Sequence, residues 1–205
     1  MKHGIINPRR LAQFLHAFLA PIATAVPNAG HFAITEMQTR RAVSIITQNV
    51  DGLHQRSGSR NVFELHGSVY QSARLWKKRV VQIDMEELNS IVRRLAKLTR
   101  QSCNIFNIIG ALDPMVKVGF RGIWLPNLVL FGQSLPIDVW EGARSEIEKS
   151  DCLLVIGTSL TVFPAASLVG VARRWAMPII RIDLHAGEEN CIAGLASAIL
   201  PEICT

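Results

Sequence analysis

Short apolar runs recur along this chain, and each is four to six residues long. They are rich in valine, isoleucine and leucine and do not alternate cleanly with polar residues, which is typical of strands buried on both faces of a parallel sheet. The pattern therefore predicts strands at 42–47, 62–65, 128–131, 152–156 and 179–183.

Segments with helical spacing lie between several of these runs and predict helices at 28–41, 137–149, 164–175 and 188–200. Pro164 suits a first helical turn, where its missing N–H group leaves no hydrogen bond unmade. Because strands and helices alternate, we expect an α/β fold built on a doubly wound sheet.

The stretch 68–125 interrupts this alternation. It contains one amphipathic helix and is otherwise expected to be irregular. The apolar face of that helix comprises Met85, Leu88, Ile91, Val92, Leu95 and Leu98. We therefore predict a sheet domain formed by 1–67 and 126–205, and a small lobe inserted at 68–125.

Composition is that of a packed globular protein, since 49% of the residues are hydrophobic and 19% are charged. The formal net charge is +6, but no nucleic-acid recognition motif accompanies it, so a nucleic-acid partner is not expected. Polar residues and prolines interrupt the uncharged stretches 11–35 and 152–172, which argues against membrane spans. Four irregularly spaced cysteines suit a reducing compartment, so we expect a soluble cytoplasmic protein.

The first segment with candidate chemistry follows the strand at 42–47. Open α/β sheets bind ligands beyond the carboxyl ends of their strands, which is where Gln48, Asn49 and Asp51 lie. Amide side chains can hold ribose hydroxyls or a water, and a carboxylate can accept from a carboxamide. A polar turn capped by Asp51 and Gly52 explains the same residues equally well.

His66 follows the strand at 62–65 and precedes Gly67. In that place it can point into a cleft and act as a general base near neutral pH. Considered alone, a structural histidine is the commoner explanation.

Two further segments combine a strand with small residues. Gly157, Thr158 and Ser159 follow the strand at 152–156, where backbone N–H groups and hydroxyls suit a ribose or phosphate, although tight strand-to-helix packing is the alternative. The strand at 128–131 precedes Gly132, and a substrate backbone can pair with such a strand.

In this order, the segments resemble the successive motifs of the sirtuin family, the silent-information-regulator type NAD-dependent protein deacylases. The resemblance runs from about Phe14 to the C-terminus, apart from the insert. The motifs are Pro27-Asn28-Ala29-Gly30-His31, Thr47-Gln48-Asn49-Val50-Asp51-Gly52-Leu53-His54, His66-Gly67, Pro126-Asn127-Leu128-Val129-Leu130-Phe131-Gly132 and Gly157-Thr158-Ser159-Leu160.

The resemblance implies a Rossmann-like domain with a small zinc-bearing lobe. It also implies a reaction that cleaves nicotinamide from NAD and moves the acyl group of a modified lysine onto the ribose. His66 would be the general base for a ribose hydroxyl, and Asn49 would position ribose and water. The other implied contacts are Gln48 to the nicotinamide ribose, Val50 and Asp51 to the carboxamide, Gly157, Thr158 and Ser159 to the dinucleotide, Asp183 to the adenosine ribose, and Val129, Phe131 and Gly132 to the acyl-lysine substrate.

The acyl group is expected to be uncharged. Family members that remove succinyl or malonyl groups carry a Tyr-x-x-Arg pair before the Pro-Asn motif, and this chain has Ala17 and Phe18 or Ala20 near those places. Neither Arg nor Lys occurs between residues 11 and 35. An acyl carboxylate buried there without a partner would cost several kcal/mol.

The zinc ligands of the family have no counterpart in this sequence. A structural zinc site needs about four cysteine or histidine ligands. Between Gly67 and Leu125 the sequence has Cys103 and no histidine. We therefore predict a lobe without metal, held together by apolar packing around its helix.

The Gly-Ala-Gly-x-Ser phosphate loop of the family, with the Arg-bearing loop that follows it, also has no counterpart here. A pyrophosphate then lacks backbone donors, and the sheet lacks its first strand, which leaves an unpaired edge. Three explanations are compatible with the lack of these loops. The chain is a fragment of a longer protein, a degraded relative of the family, or a protein that needs a partner.

Three functions are compatible with these observations. The leading one is an NAD-dependent protein-lysine deacylase, which Gln48, Asn49, Asp51 and His66 favour. The lack of the phosphate loop favours a catalytically silent NAD-binding or interaction module. The same site would also serve a mono-ADP-ribosyltransferase.

Overall fold

The computed structural model describes residues 7–75, 79–120, 122–130, 132–184 and 191–203 of the chain. Its elements, in chain order, are α1 (Pro8–Thr24), α2 (Ala29–Arg40), β1 (Ile45–Thr47), α3 (Leu53–Arg56), β2 (Val62–Glu64), β3 (Gly67–Arg74), β4 (Val80–Gln82), α4 (Met85–Arg100), α5 (Ile105–Ala111), β5 (Lys117–Gly119), β6 (Gly122–Leu128), α6 (Ile137–Glu148), β7 (Leu153–Ile156), α7 (Ser167–Arg174), β8 (Ile179–Asp183), β9 (Cys191–Ala193) and α8 (Ala196–Ile203).

The chain divides into two compact units. Unit 1 is formed by Met1–Ala25 and Gly67–Leu128, and unit 2 by Val26–His66 and Val129–Thr205. The N-terminal helix therefore groups with the inserted lobe, whereas the sequence analysis placed 1–67 entirely in the sheet domain. The reason is that α1 packs along α4, which gives both amphipathic helices an apolar partner.

Two buried helix faces form the centre of unit 1. The residues on these faces are fully or almost fully excluded from solvent, and they are Ala12 and Leu19 on α1 and Leu88, Ile91 and Leu95 on α4. Asp84 caps α4 by accepting from the backbone N–H of Glu87 at 2.7 Å, and the Glu87 carboxylate accepts from the Asp84 N–H at 2.9 Å. This capping box fixes where the helix begins.

Unit 1 also contains a four-stranded antiparallel sheet in the order β4-β3-β6-β5. The prediction that the stretch outside the lobe helix is irregular is therefore wrong. β3 and β6 pair across more than fifty positions of sequence, for instance Ala73 with Leu125. Strands that obtain their hydrogen bonds from such distant residues give a weak local signal.

Unit 2 contains two parallel sheets, β1-β2 and β7-β8-β9. Ile46 and Leu153 face one hydrophobic cluster, which α6 and α7 cover. Ile45 and Leu154 face a second cluster, which α2 and α8 cover. Because both clusters contain residues from both sheets, the strands form one layer between two helical layers, and the predicted Rossmann-like α/β class is confirmed.

The strand layer of unit 2 is interrupted. In the part of the chain that the structure describes, β1 pairs only with β2, and β7 pairs only with β8. Among the described residues, each of these two strands therefore keeps one edge that carries no neighbouring strand. Side-chain packing in the two clusters, and not a continuous hydrogen-bonded ladder, joins the sheets.

Most predicted elements of unit 2 agree with the structure, with two exceptions. The strand predicted at 128–131 is displaced, since β6 ends at Leu128 and residue 131 lies outside the described residues. The helix predicted at 188–200 is partly wrong, because Cys191–Ala193 forms β9 against β8. Gly194, with φ +142, then separates β9 from α8.

No single helix of the described ranges is long and apolar enough to cross a membrane. Only when α1 and α2 are counted together do they reach the length and apolar composition that a membrane span requires.

Candidate active site

The predicted site residues of unit 2 follow the carboxyl ends of parallel strands. Residues 48–51 follow β1, and His66 lies two positions after β2. Residues 157–159 follow β7, and Asp183 is the last residue of β8. These strand ends are where open α/β sheets bind ligands.

His66 is half-buried and has a defined hydrogen-bond partner. Its Nδ1 lies 3.0 Å from the backbone carbonyl oxygen of Gln48. A carbonyl oxygen only accepts, so in the neutral imidazole Nδ1 carries the proton and Nε2 keeps its lone pair. The backbone N–H of Val129 donates to the His66 carbonyl at 3.0 Å, so the structure brings Gln48, His66 and Val129 together.

The loop at 48–51 is the polar turn that the sequence left open as an alternative. The Asn49 N–H donates to the Thr47 hydroxyl at 3.0 Å, and the Leu53 N–H donates to Oδ1 of Asp51 at 3.1 Å. Gly52, with φ +63, then leads into α3. In the described residues Oδ2 of Asp51 forms no hydrogen bond, so the carboxylate can cap the turn and still accept from a ligand.

Two histidines lie beside this turn, and the sequence analysis assigned them no role although both belong to the quoted motifs. The ring centroids of His31 and His54 are 5.0 Å apart. Burial lowers the pKa of both imidazoles, His31 lowers that of His54 further, and the Asp51 carboxylate opposes the shift in both. Nδ1 of His54 is buried and has no hydrogen-bond partner in the described part of the chain. This pair is therefore favoured in its neutral form.

The loop at 157–159 combines an open backbone with hydroxyl side chains, which suits a small polar ligand. Gly157 has φ +58, and nothing lies within 4 Å of the place where a Cβ would stand. The Thr158 hydroxyl accepts from the Leu160 N–H at 3.2 Å, and the Ser159 and Thr161 hydroxyls are 2.8 Å apart. The hydroxyls of this loop and its open backbone suit ribose or phosphate oxygens.

Asp183 is joined to this loop by Arg181, a residue that the sequence analysis did not single out. Nη2 of Arg181 lies 3.5 Å from the Thr158 carbonyl oxygen and 3.5 Å from Oδ2 of Asp183. Residues two positions apart in a strand share a face, so the Arg-x-Asp spacing was a signal for this pair.

The predicted substrate-binding residues are only partly described. Val129 has the backbone hydrogen bond to His66 already given. Gly132 is exposed, with φ +86, and has open space around the place of a Cβ. Phe131 lies outside the described residues.

A metal ion does not fit the described residues. They contain no group of three or more His, Cys, Asp or Glu side chains close enough together to hold one. Cys103, the lone cysteine between Gly67 and Leu125, is half-buried at the start of the α5 segment.

Comparison with known proteins gives the same family throughout. Residues 3–164 match the Sir2 family. The NAD-dependent protein deacylase 2 of Pyrobaculum aerophilum is 35% identical over 189 residues, which cover 89% of this chain and 66% of that protein. The NAD-dependent protein deacylase of Mycolicibacterium paratuberculosis is 34% identical over 185 residues, which cover 88% of this chain and 70% of that protein.

Solved structures agree with the sequence comparisons. A Sir2 homologue in complex with NAD superimposes with a TM-score of 0.73 at 27% identity, covering 97% of this chain and 71% of that one. A Sir2 protein bound to a myristoylated histone peptide gives a TM-score of 0.70 at 29% identity, with 97% and 78% covered.

The chain spans between 60% and 70% of the length of the curated relatives it matches. The matched range 3–164 nevertheless includes most of the chain and most of the site residues described above. The family that the motifs predict is confirmed, and this chain belongs to the Sir2 family.

Proposed function

We propose that this protein is an NAD-dependent protein-lysine deacylase that moves an uncharged acyl group from lysine to ADP-ribose and releases nicotinamide. The observation that carries the proposal is the 3.0 Å contact between Nδ1 of His66 and the Gln48 carbonyl. This contact leaves Nε2 as a base at the carboxyl end of a parallel strand. The names of the relatives given above support the same activity.

The residues at the strand ends fit a dinucleotide. The open backbone at Gly157 and the hydroxyls of Thr158 and Ser159 suit ribose and phosphate oxygens. Asp183 can accept from a ribose hydroxyl, and Oδ2 of Asp51 can accept from a carboxamide N–H. When bound, NAD supplies the electrophilic ribose carbon and the nicotinamide leaving group.

His66 moves the proton in this proposal. Nε2 takes the proton from a ribose hydroxyl, and the bond from Nδ1 to the Gln48 carbonyl stabilises the imidazolium that forms. The exposed side-chain amide of Asn49 orients the ribose and a water molecule. Val129, whose backbone is fixed by the His66 carbonyl, borders the path of the acyl-lysine substrate together with Gly132.

The substrate is an acylated lysine of a protein, with acetyl or a longer uncharged chain as the acyl group. The structure of a Sir2 protein with a myristoylated histone peptide supports an apolar chain. The stretch 11–35 offers no Arg or Lys for an acyl carboxylate. We also propose a cytoplasmic location, which the cysteines support, since Cys103 and Cys152 are not in disulfides.

The test is nicotinamide release from NAD and an acetyl-lysine peptide by the 205-residue chain. We expect His66→Ala to reduce the rate by about 10²- to 10⁴-fold, the range for loss of a general base. Arg93→Ala, a change at an exposed position of α4 in unit 1, is the control and should keep the rate.

Other outcomes identify other functions. Absence of nicotinamide release from both the parent chain and His66→Ala would favour an interaction module. Release with ADP-ribose attached to protein would favour mono-ADP-ribosyl transfer. Faster turnover of a succinyl-lysine peptide than of an acetyl-lysine peptide would overturn the uncharged acyl group.

A further inference from the structure

A cavity of about 690 Å³ lies within unit 2, between α6, the loop that follows β7, and α7. Its lining includes Ser159 from the loop and the aromatic rings of Trp140 and Phe163. Ligand sites commonly have volumes of about 300–1,000 Å³, so the cavity is large enough for part of a nucleotide.

Among the lining residues that the structure describes, every charged side chain is basic. Four of these residues are arginines, and none is an aspartate or glutamate. They are Arg144, Arg173, Arg174 and Arg181. Arginine keeps its charge at any physiological pH, and a concave surface of one sign attracts ligands of the other. The lining residues therefore select for an anion.

In the part of the chain that the structure describes, two of these guanidinium groups have no acidic partner. Arg144 pairs with Glu148 at 3.0 Å, and Arg181 with Asp183 at 3.5 Å. In the described residues Arg173 and Arg174 form no ion pair, and both are exposed. A positive charge of two units thus remains uncompensated at this end of α7.

The end of α7 does not need these side chains as caps. Backbone N–H groups of residues 175–177 donate to the carbonyls of residues 171–173 at distances between 3.1 and 3.4 Å. Because the carbonyls of residues 171–173 already have backbone donors, they do not require the guanidinium groups of Arg173 and Arg174, which remain available to bind a ligand.

The cavity adjoins the loop that the proposed function assigns to the dinucleotide. Ser159 belongs to both, and Arg181 reaches the Thr158 carbonyl at 3.5 Å. Guanidinium groups bind phosphate oxygens in pairs of charge-assisted hydrogen bonds. We propose that Arg173, Arg174 and Arg181 bind the diphosphate of the dinucleotide, an inference that rests on the proposed function for the identity of its ligand.

The proposal is tested by calorimetric binding of ADP-ribose and of inorganic pyrophosphate to the full chain. We expect Arg173→Gln/Arg174→Gln to weaken both affinities at least about tenfold, since a hydrogen bond to a charged group contributes about 1.5–3 kcal/mol. Affinity should also fall as salt rises. Lys97→Gln/Arg100→Gln, which removes the same charge from the last turn of α4 in unit 1, should leave both affinities unchanged.

The outcomes separate this inference from the proposed function. Equal binding of ADP-ribose to the parent and to Arg173→Gln/Arg174→Gln would overturn the arginine site while leaving NAD chemistry in place. Binding of pyrophosphate that depends on the arginines, without binding of ADP-ribose, would support the anion site and count against the deacylase. If neither probe binds, the arginine site is wrong.

Discussion

Gly67 occupies a position that no other residue can take without strain. Its φ is +75, and a Cβ there would stand 1.9 Å from the carbonyl oxygen of Asn127. The colliding atom belongs to the backbone of the paired strand β6, so it cannot move aside as a flexible side chain would. The glycine after His66 is therefore required by the backbone of unit 1.

Replacing this glycine should destabilise the protein strongly. We expect Gly67→Ala to lower the free energy of unfolding by at least about 2 kcal/mol, as measured by urea denaturation. Gly110→Ala is the matched control, because no atom lies within 4 Å of that Cβ position. It should leave stability unchanged or raise it by up to about 1 kcal/mol. Equal effects of the two changes would contradict the close approach.

The histidine pair beside Asp51 makes stability depend on pH. Both imidazoles have a pKa below the ordinary value of 6.5, so the unfolded chain takes up protons first as pH falls. Their contribution to stability is therefore complete above that value and is lost as pH falls through the lowered pKa.

His54→Phe should flatten this dependence, because it replaces the titrating ring and its buried Nδ1 with an apolar ring of similar size. The free energy of unfolding, measured between about pH 8 and pH 5, should fall less steeply in the variant than in the parent. At about pH 8 both histidine rings are neutral, so a difference in unfolding free energy there reports a change in packing and not in titration. Parallel curves for the two proteins would count against the pair as the titrating group.

At the scale of elements, the contact between α1 and α4 holds unit 1 together. Leu95 is fully buried on the face of α4, whereas Arg93 is exposed two positions earlier. We expect Leu95→Ala to cost about 2–5 kcal/mol in thermal or urea unfolding, through lost burial and a cavity. Arg93→Ala should stay within about 0.5 kcal/mol of the parent. A cost for Leu95→Ala as small as for Arg93→Ala would refute this packing.

The elements that sequence predicts well are those whose signal is local. The strand at Ile179–Asp183 and the helix α6 are continuous apolar or amphipathic segments, and their predicted positions hold almost residue for residue. β9 was missed because its three residues are a strand only through pairing with β8. The sheet of unit 1 was missed for the same reason, since its ladders join distant parts of the chain.

The same distinction holds for the site, where some features are predictable from local sequence and others depend on contacts between distant parts of the chain. The motif residues identify the strand ends, and His66 lies two positions after β2. The contact of Arg181 with Asp183 and the shared cavity of α6 and α7 depend on how elements pack, which single motifs do not encode. Asp51 illustrates a further case, since Oδ1 caps the turn while Oδ2 is the oxygen that we propose for the ligand.

At the scale of the whole molecule, the protein is expected to be independent of metal. The described residues offer no cluster of metal ligands, and unit 1 has a buried apolar centre of its own. In proteins with structural zinc, the energy of metal binding is part of the folding energy. Excess EDTA should therefore leave the melting temperature unchanged, and elemental analysis should find far less than one zinc per chain. Stoichiometric zinc, or a lower melting temperature after chelation, would reverse this conclusion.

The interrupted strand layer of unit 2 determines how this unit can unfold. Hydrogen-bonded ladders hold β1 to β2, and β8 to its two neighbours, but in the described residues no ladder joins β1 to β7. Side chains that pack beneath the two helical layers connect the two sheets. Because each cluster contains residues of both sheets, loosening of both helical layers would free the β1-β2 portion while β7-β8-β9 stays intact. Unit 2 should accordingly behave as two cooperative folding units, and the smaller one carries His66.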